Sequence, residues 1–110
     1  MSDDNYSKEI ASIIVSQMGG MNRLKATINA RNFFCGTISY NGFNQPYVQF
    51  SFSLNPKITK CRIIYEEGKD TYVMQFLNRV NSVVKEYEDV YCDELIANFE
   101  QTTGLYLKLF

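Results

Sequence analysis

From Phe33 to Leu77 apolar and polar residues alternate in short runs, broken by clusters of Gly, Asn and Pro, and a chain so patterned builds antiparallel sheet. Tyr47 to Leu54 is the cleanest run, with Val48, Phe50, Phe52 and Leu54 pointing one way and Gln49, Ser51 and Ser53 the other. Phe33 to Tyr40 is rich in aromatic and β-branched residues. The turn cluster Asn41-Gly-Phe-Asn-Gln-Pro46 follows it: Asn-Gly supplies left-handed conformations, and Pro46 cannot donate to a ladder. After Asn55-Pro56, the runs Lys60–Tyr65 and Thr71–Leu77 are joined by the polar loop Glu66-Glu-Gly-Lys-Asp70, which suits a hairpin. In the second run Tyr72, Met74 and Phe76 alternate with Thr71, Val73 and Gln75. Residues 82–88 read equally as a last strand or a lead-in. Upstream, Leu24, Ala26, Ile28 and Ala30 alternate with Arg23, Lys25, Thr27, Asn29 and Arg31, which predicts a half-buried strand with a basic outer face. Ala30-Arg31-Asn32 then makes a hairpin turn with Asn32 at positive φ.

Both ends are helical in pattern. Over residues 6–18, Ile10, Ile13, Ile14 and Met18 recur at helical spacing, with Ser7 as N-cap and Gly19-Gly20 as the stop. The segment from Val90 onward reads as one amphipathic helix. Asp89 caps it, Asp93 and Glu94 lie near the positive end of its dipole, Gly104 ends it, and Leu105 folds back onto Phe99. The expected architecture is α+β: an N-terminal helix, an antiparallel meander of five to six strands, and a C-terminal helix, with the helices packed on one sheet face.

At 110 residues the chain is a single domain, 1–110, able to bury roughly 65% of its unfolded surface without metals or disulfides. A hydrophobic fraction of 45%, with eight Tyr and eight Phe, argues against intrinsic disorder. The acidic start Met-Ser-Asp-Asp-Asn and an aliphatic run no longer than Ile13-Ile14-Val15 predict neither a signal peptide nor a membrane span, hence a cytoplasmic protein. Cys35, Cys61 and Cys92 are isolated and odd in number, and are expected to be reduced, buried, structural thiols and not zinc ligands. The chain has no His, which removes the commonest metal ligand and general base together. A carboxylate pair could be drawn from Asp89 and Asp93, but any acidic helix start would show one. No catalytic residue, metal or cofactor is expected.

Charge divides the chain unevenly. Residues 1–60 hold six Lys or Arg against three acids (net +3), and residues 61–110 hold five against nine (net −4), for the total of −1. Glu66, Glu67 and Asp70, with Glu86, Glu88, Asp89, Asp93 and Glu94, suggest an acidic binding surface; as a plain reading they are a solvated hairpin tip and a dipole-matched helix start. Phe43, large and apolar in a turn of Gly, Asn and Pro, is the best candidate for an exposed contact residue. The alternative site is basic: Arg23, Lys25 and Arg31 on one strand face, with Tyr40, Phe43 and Tyr47 nearby, resemble the phosphate and stacking contacts of single-strand nucleic-acid binders. Net negative charge opposes that reading. Leu105, Tyr106, Leu107, Leu109 and Phe110 either pack back onto the sheet or form a homodimer contact.

Taken together, Gln17-Met-Gly-Gly-Met-Asn-Arg-Leu24, Ala30-Arg-Asn-Phe33, Asp70-Thr-Tyr-Val-Met-Gln-Phe76, Val90-Tyr-Cys-Asp-Glu-Leu95 and Phe99-Glu-Gln-Thr-Thr-Gly-Leu-Tyr106 resemble a family of small phage and mobile-element proteins. Its members have Leu-Gly-Gly after a first helix, Ala-Lys-Asn-Phe, Asp-x-Tyr-x-x-x-Phe, and Tyr-x-Asp-x-Leu leading to Thr-Gly-Leu-Tyr. Met18 and Arg31 are mild departures from that pattern. No chemistry is assigned to the family, so the resemblance implies a setting, expression in a bacterial host, and no site. In that setting an acidic surface is suited to compete with nucleic acid for a basic groove on a host protein or ribonucleoprotein, as anti-CRISPR and other nuclease inhibitors do.

Overall fold

In the computed structural model, which describes residues 3–107, five antiparallel strands follow two helices and precede a third. The elements are α1 (Asp3–Gln17), α2 (Met21–Ile28), β1 (Arg31–Tyr40), β2 (Phe43–Ser51), β3 (Lys60–Glu66), β4 (Thr71–Leu77), β5 (Val83–Val90) and α3 (Leu95–Thr103), with a short 3₁₀ turn, Cys92–Glu94, before α3. The sheet is a simple meander, β1-β2-β3-β4-β5. The expected α+β architecture is what is found, and residues 83–88 of the segment 82–88 lie in β5, which runs on to Val90. No helix among the described residues is long and apolar enough to cross a membrane.

One sheet face carries Val48, Phe50, Cys61, Ile63, Met74 and Phe76, all 2% exposed or less, and the helices cover it. Phe99 of α3 stands at its centre, with ring centroids 6.3, 5.1 and 6.0 Å from Phe50, Phe52 and Phe76. Leu95, Phe99 and Thr103 fall at helical spacing on the buried side of α3. Gly104 ends the helix at φ 74°, with its amide bonded to the Glu100 carbonyl. Beyond it the Leu107 amide donates to Glu100 Oε2 at 2.9 Å. Leu105 is half-buried against the core and Leu107 fully buried, so this part of the tail packs inward; Leu109 and Phe110 lie outside the described residues.

The other face has no helix, yet its centre is buried, where the sheet curls on itself. Tyr40 of β1 donates to Glu86 Oε2 of β5 at 3.0 Å, although the two strands are opposite edges. Four flat strand spacings would separate them by about 19 Å. Register shifts in β1 and between β4 and β5 add local twist. All seven residues of β4 are therefore buried, including Val73 and Leu77 on the helix-free face.

Several expectations are corrected by this arrangement. Residues 24–31 are not a strand: Leu24 and Ile28, four apart and fully buried, anchor α2, which Gly20 starts and Asn29 ends at φ 57°. The apparent alternation came from Ala26, which is exposed, and Ala30, which lies past the helix. Asn32 does have positive φ (55°), but at the irregular start of β1 and not in a hairpin turn. The β1–β2 turn is only Asn41-Gly42 (φ 52° and 84°), and Pro46 lies inside β2 opposite Thr37. Leu54 leaves the strand pattern at φ 79° and is 71% exposed. Ser7 is buried within α1 and Ile13 is exposed.

Of the three cysteines only Cys61 is buried, and burial pushes its thiol pKa up; Cys35 and Cys92 are exposed. Two thiols per chain are therefore expected to react rapidly with Ellman's reagent in the native state, and the third only on unfolding. Three fast thiols would place Cys61 outside the core.

Candidate functional site

The acidic residues of the β3–β4 tip and of the end of β5 meet because β4 pairs with β5 as far as Tyr72↔Val90. Lys69 at the β3–β4 tip donates to Asp89 Oδ1 at 3.4 Å and lies 3.8 Å from Glu66 Oε1. Its amine sits in the field of Asp89, Glu66 and Glu88, and hydrogen bonding to Asp89 leads the rise in its pKa. Glu66, Glu88 and Asp89 thus share one cation, three acids against one. Asp89 occupies this place because it takes φ 55° beside the β4–β5 register shift. It is not the N-cap of the final helix, which begins at Leu95. The turn before α3 is instead closed by Glu94, whose Oε1 accepts the Tyr91 amide at 2.9 Å. Asp93 and Glu94 are exposed on that turn, beside exposed Tyr91. The Asp89–Asp93 pair drawn from sequence therefore straddles a strand end and a 3₁₀ turn, and Asp89 is paired with Lys69.

Phenols hold several of these acids in place. Tyr65 donates to Asp70 Oδ1 at 2.6 Å and Tyr6 of α1 to Glu67 Oε2 at 2.7 Å. Each bond favours the neutral phenol, and with partial burial and the neighbouring negative charge pushes its pKa up to about 12. Both stabilising contributions are fully present below pH 10 and fall away between pH 10 and 12, as the phenols ionise beside carboxylates. In an absorbance titration at 295 nm, Glu67→Gln and Asp70→Asn are each expected to move one late-ionising tyrosine back toward pH 10. An unchanged titration would mean these hydrogen bonds do not form.

Between the β1–β2 and β3–β4 tips lies a cleft of about 520 Å³. Phe43, Asn44, Gln45, Glu66, Glu67 and Lys69 are among the residues that line it. Phe43 is 69% exposed at its rim, while Glu66 is 5% exposed at its wall. Glu66 Oε1 is buried with no hydrogen-bond partner, as is Oγ1 of Thr71, its direct partner in the β3–β4 register. On the same helix-free face a polar row crosses four strands: Arg62 donates to Gln49 and Gln75, Gln75 donates to Glu86, and Tyr40 closes onto Glu86. Burial, then the bond to Glu86 and the charges of Glu86, Glu88 and Glu66, push the Tyr40 pKa up. Sequence alternation placed Gln49 and Gln75 on a polar face; that the face closes over itself has no local signal. Among the described residues no three carboxylates or thiols converge closely enough to hold a metal ion.

The basic candidates do not assemble with the aromatics. Arg23 and Lys25 are on α2, and Arg31 opens β1, donating to the Asn29 carbonyl and Ser53 Oγ. Tyr40 and Phe43 lie at the far end of that hairpin, about 30 Å of strand away. A second concavity, about 420 Å³, lies between α1 and β1 and is lined chiefly by apolar residues such as Val15, Met21, Phe33 and Phe34. No family model, curated protein or solved structure matches the chain.

Proposed function

We propose that the protein acts without catalysis, by binding a basic surface of another macromolecule through the acidic end formed by Glu67, Asp70, Glu88, Asp89, Asp93 and Glu94, with Phe43 as a contact residue. The observation that carries this reading is the Lys69–Asp89 contact at 3.4 Å, because it joins the β3–β4 tip to the end of β5 and makes one surface of two sequence-distant acidic segments. Exposed acids spread over one end of a chain of net charge −1 speed encounter with a cationic partner, and an exposed aromatic ring supplies apolar contact area once it arrives. In the phage or mobile-element setting that the sequence resembles, the partner is a host protein or ribonucleoprotein, and the effect is to block its nucleic-acid groove in the manner of an anti-CRISPR inhibitor.

The partner that wild-type protein retains from a bacterial host lysate is expected to be released by excess nucleic acid, since both compete for one groove. Retention unaffected by nucleic acid would reject the groove-blocking mechanism. The second reading, nucleic-acid binding through Arg23, Lys25 and Arg31, calls for retention on heparin that collapses with added salt. No retention at low salt removes it.

A further inference from the structure

Resting on the reading that the acidic end meets a basic partner, we propose that the Glu66 cleft is a pocket for one arginine side chain of that partner, with Lys69 as the resident cation that it displaces. Glu66 is the only acid of this end that is buried, at 5% exposure, and its Oε1 has no hydrogen-bond donor. Lys69 at 3.8 Å is beyond hydrogen-bond reach and is already bonded to Asp89 at 3.4 Å. Thr71 Oγ1, on the residue directly opposite, is a second buried oxygen without a partner. A buried carboxylate oxygen left without a donor is costly, and Glu66 on the cleft wall calls for a donor group that can enter the cleft.

A guanidinium has that form: five N–H donors in a rigid planar fork, weak hydration, and a flat face that stacks on aromatic rings. Phe43 at the rim supplies such a ring, and the cleft volume of about 520 Å³ leaves room for the side chain. A lysine ammonium, compact and strongly hydrated, matches one acceptor at a time and gains less from Phe43. For the guanidinium to reach Oε1 the Lys69 amine must move aside. It is half exposed, lies on a four-residue tip, and has Asp89 to receive it.

The direct probe is N-acetyl-arginine amide, titrated into ¹⁵N-labelled full-length protein and followed by amide shifts, with N-acetyl-lysine amide in parallel. The arginine compound is expected to shift Asn44, Glu66, Gly68 and Thr71 in a saturable way, at least several-fold more tightly than the lysine compound. Glu66→Gln should weaken it about tenfold or more, and Phe43→Ala, at an exposed site that leaves the fold intact, by about threefold. Lys69→Ala should tighten it, because the competing cation is gone. Equal shifts from both compounds, or arginine binding that persists in Glu66→Gln, would overturn the proposal and indicate diffuse counter-ion attraction only. The wider reading stands apart from this outcome: a partner lost by reversing Glu67, Asp70 and Glu88 but retained by Glu66→Gln keeps the acidic surface and removes the arginine pocket.

Discussion

Phe99→Ala is expected to destabilise the fold by about 4 kcal/mol, the largest effect of any single truncation in the core. Phe99 is fully buried and its ring meets those of Phe50, Phe52 and Phe76, drawn from β2, the segment after it, and β4. Removing it leaves a cavity at the junction of α3 with the sheet, where three aromatic walls held by separate elements cannot all collapse inward. For a domain whose total stability is of order 5–15 kcal/mol, this is a large fraction. Urea unfolding should show a lowered midpoint with an unchanged slope. Tyr106→Ala, at a site 70% exposed, should stay within about 0.5 kcal/mol of wild type. A loss below about 1 kcal/mol for Phe99→Ala would mean that α3 is not seated on the sheet.

The triple variant Glu67→Lys, Asp70→Lys, Glu88→Lys is expected to lower partner affinity about 100-fold or more, while the unfolding midpoint falls only modestly, because the two phenol hydrogen bonds it removes are solvent-exposed. The three residues are exposed, so reversal adds no buried charge, and each turns an attraction to a cationic surface into a repulsion. Glu66 is excluded from this set: a lysine in its place would put an ammonium into a wall that is 5% exposed, and loss of binding could then follow from misfolding. Charge screening gives an independent sign. Wild-type affinity should fall as salt rises, and the slope should flatten in the variant.

Much of the fold was legible because strands and the final helix announce themselves locally. Phe50 and Phe52 alternate out of a polar run, and Gly104 stands where a left-handed residue ends a helix. Residues 24–31 show how such reading goes astray. The pattern of Leu24, Ala26, Ile28 and Ala30 satisfies period 2, while Leu24 and Ile28 alone satisfy period 3.6, and the small alanines decided nothing. Gly20 and Asn29, as helix boundary residues, were the better signal.

The start of α3 was misplaced for a related reason. Asp89 has the chemistry of an N-cap, yet β4 offers a pairing edge as far as Tyr72↔Val90, and strand pairing took the residue first. Glu94 then closed the turn that Asp89 had been expected to cap.

The candidate site was legible in its members and not in its shape. Glu66, Glu67, Phe43 and Asp89 could be named from composition and turn chemistry. Which of them is buried depends on the curl that brings Tyr40 to Glu86 across the sheet, a consequence of accumulated twist over five strands. The basic candidates failed to assemble because two of them belong to α2, so the proposed basic strand face does not exist.

Parallel affinity capture from a bacterial host lysate with three baits separates the readings: wild type, the Glu67/Asp70/Glu88→Lys variant, and an Arg23→Glu/Lys25→Glu variant, each shown to unfold at the wild-type urea midpoint or close to it. With the acidic end as the binding surface, wild type and the α2 variant retain the same macromolecule in near-equimolar amount, and the acidic-end variant retains none. Equal capture by the acidic-end variant, or loss of capture only in the α2 variant, would contradict it.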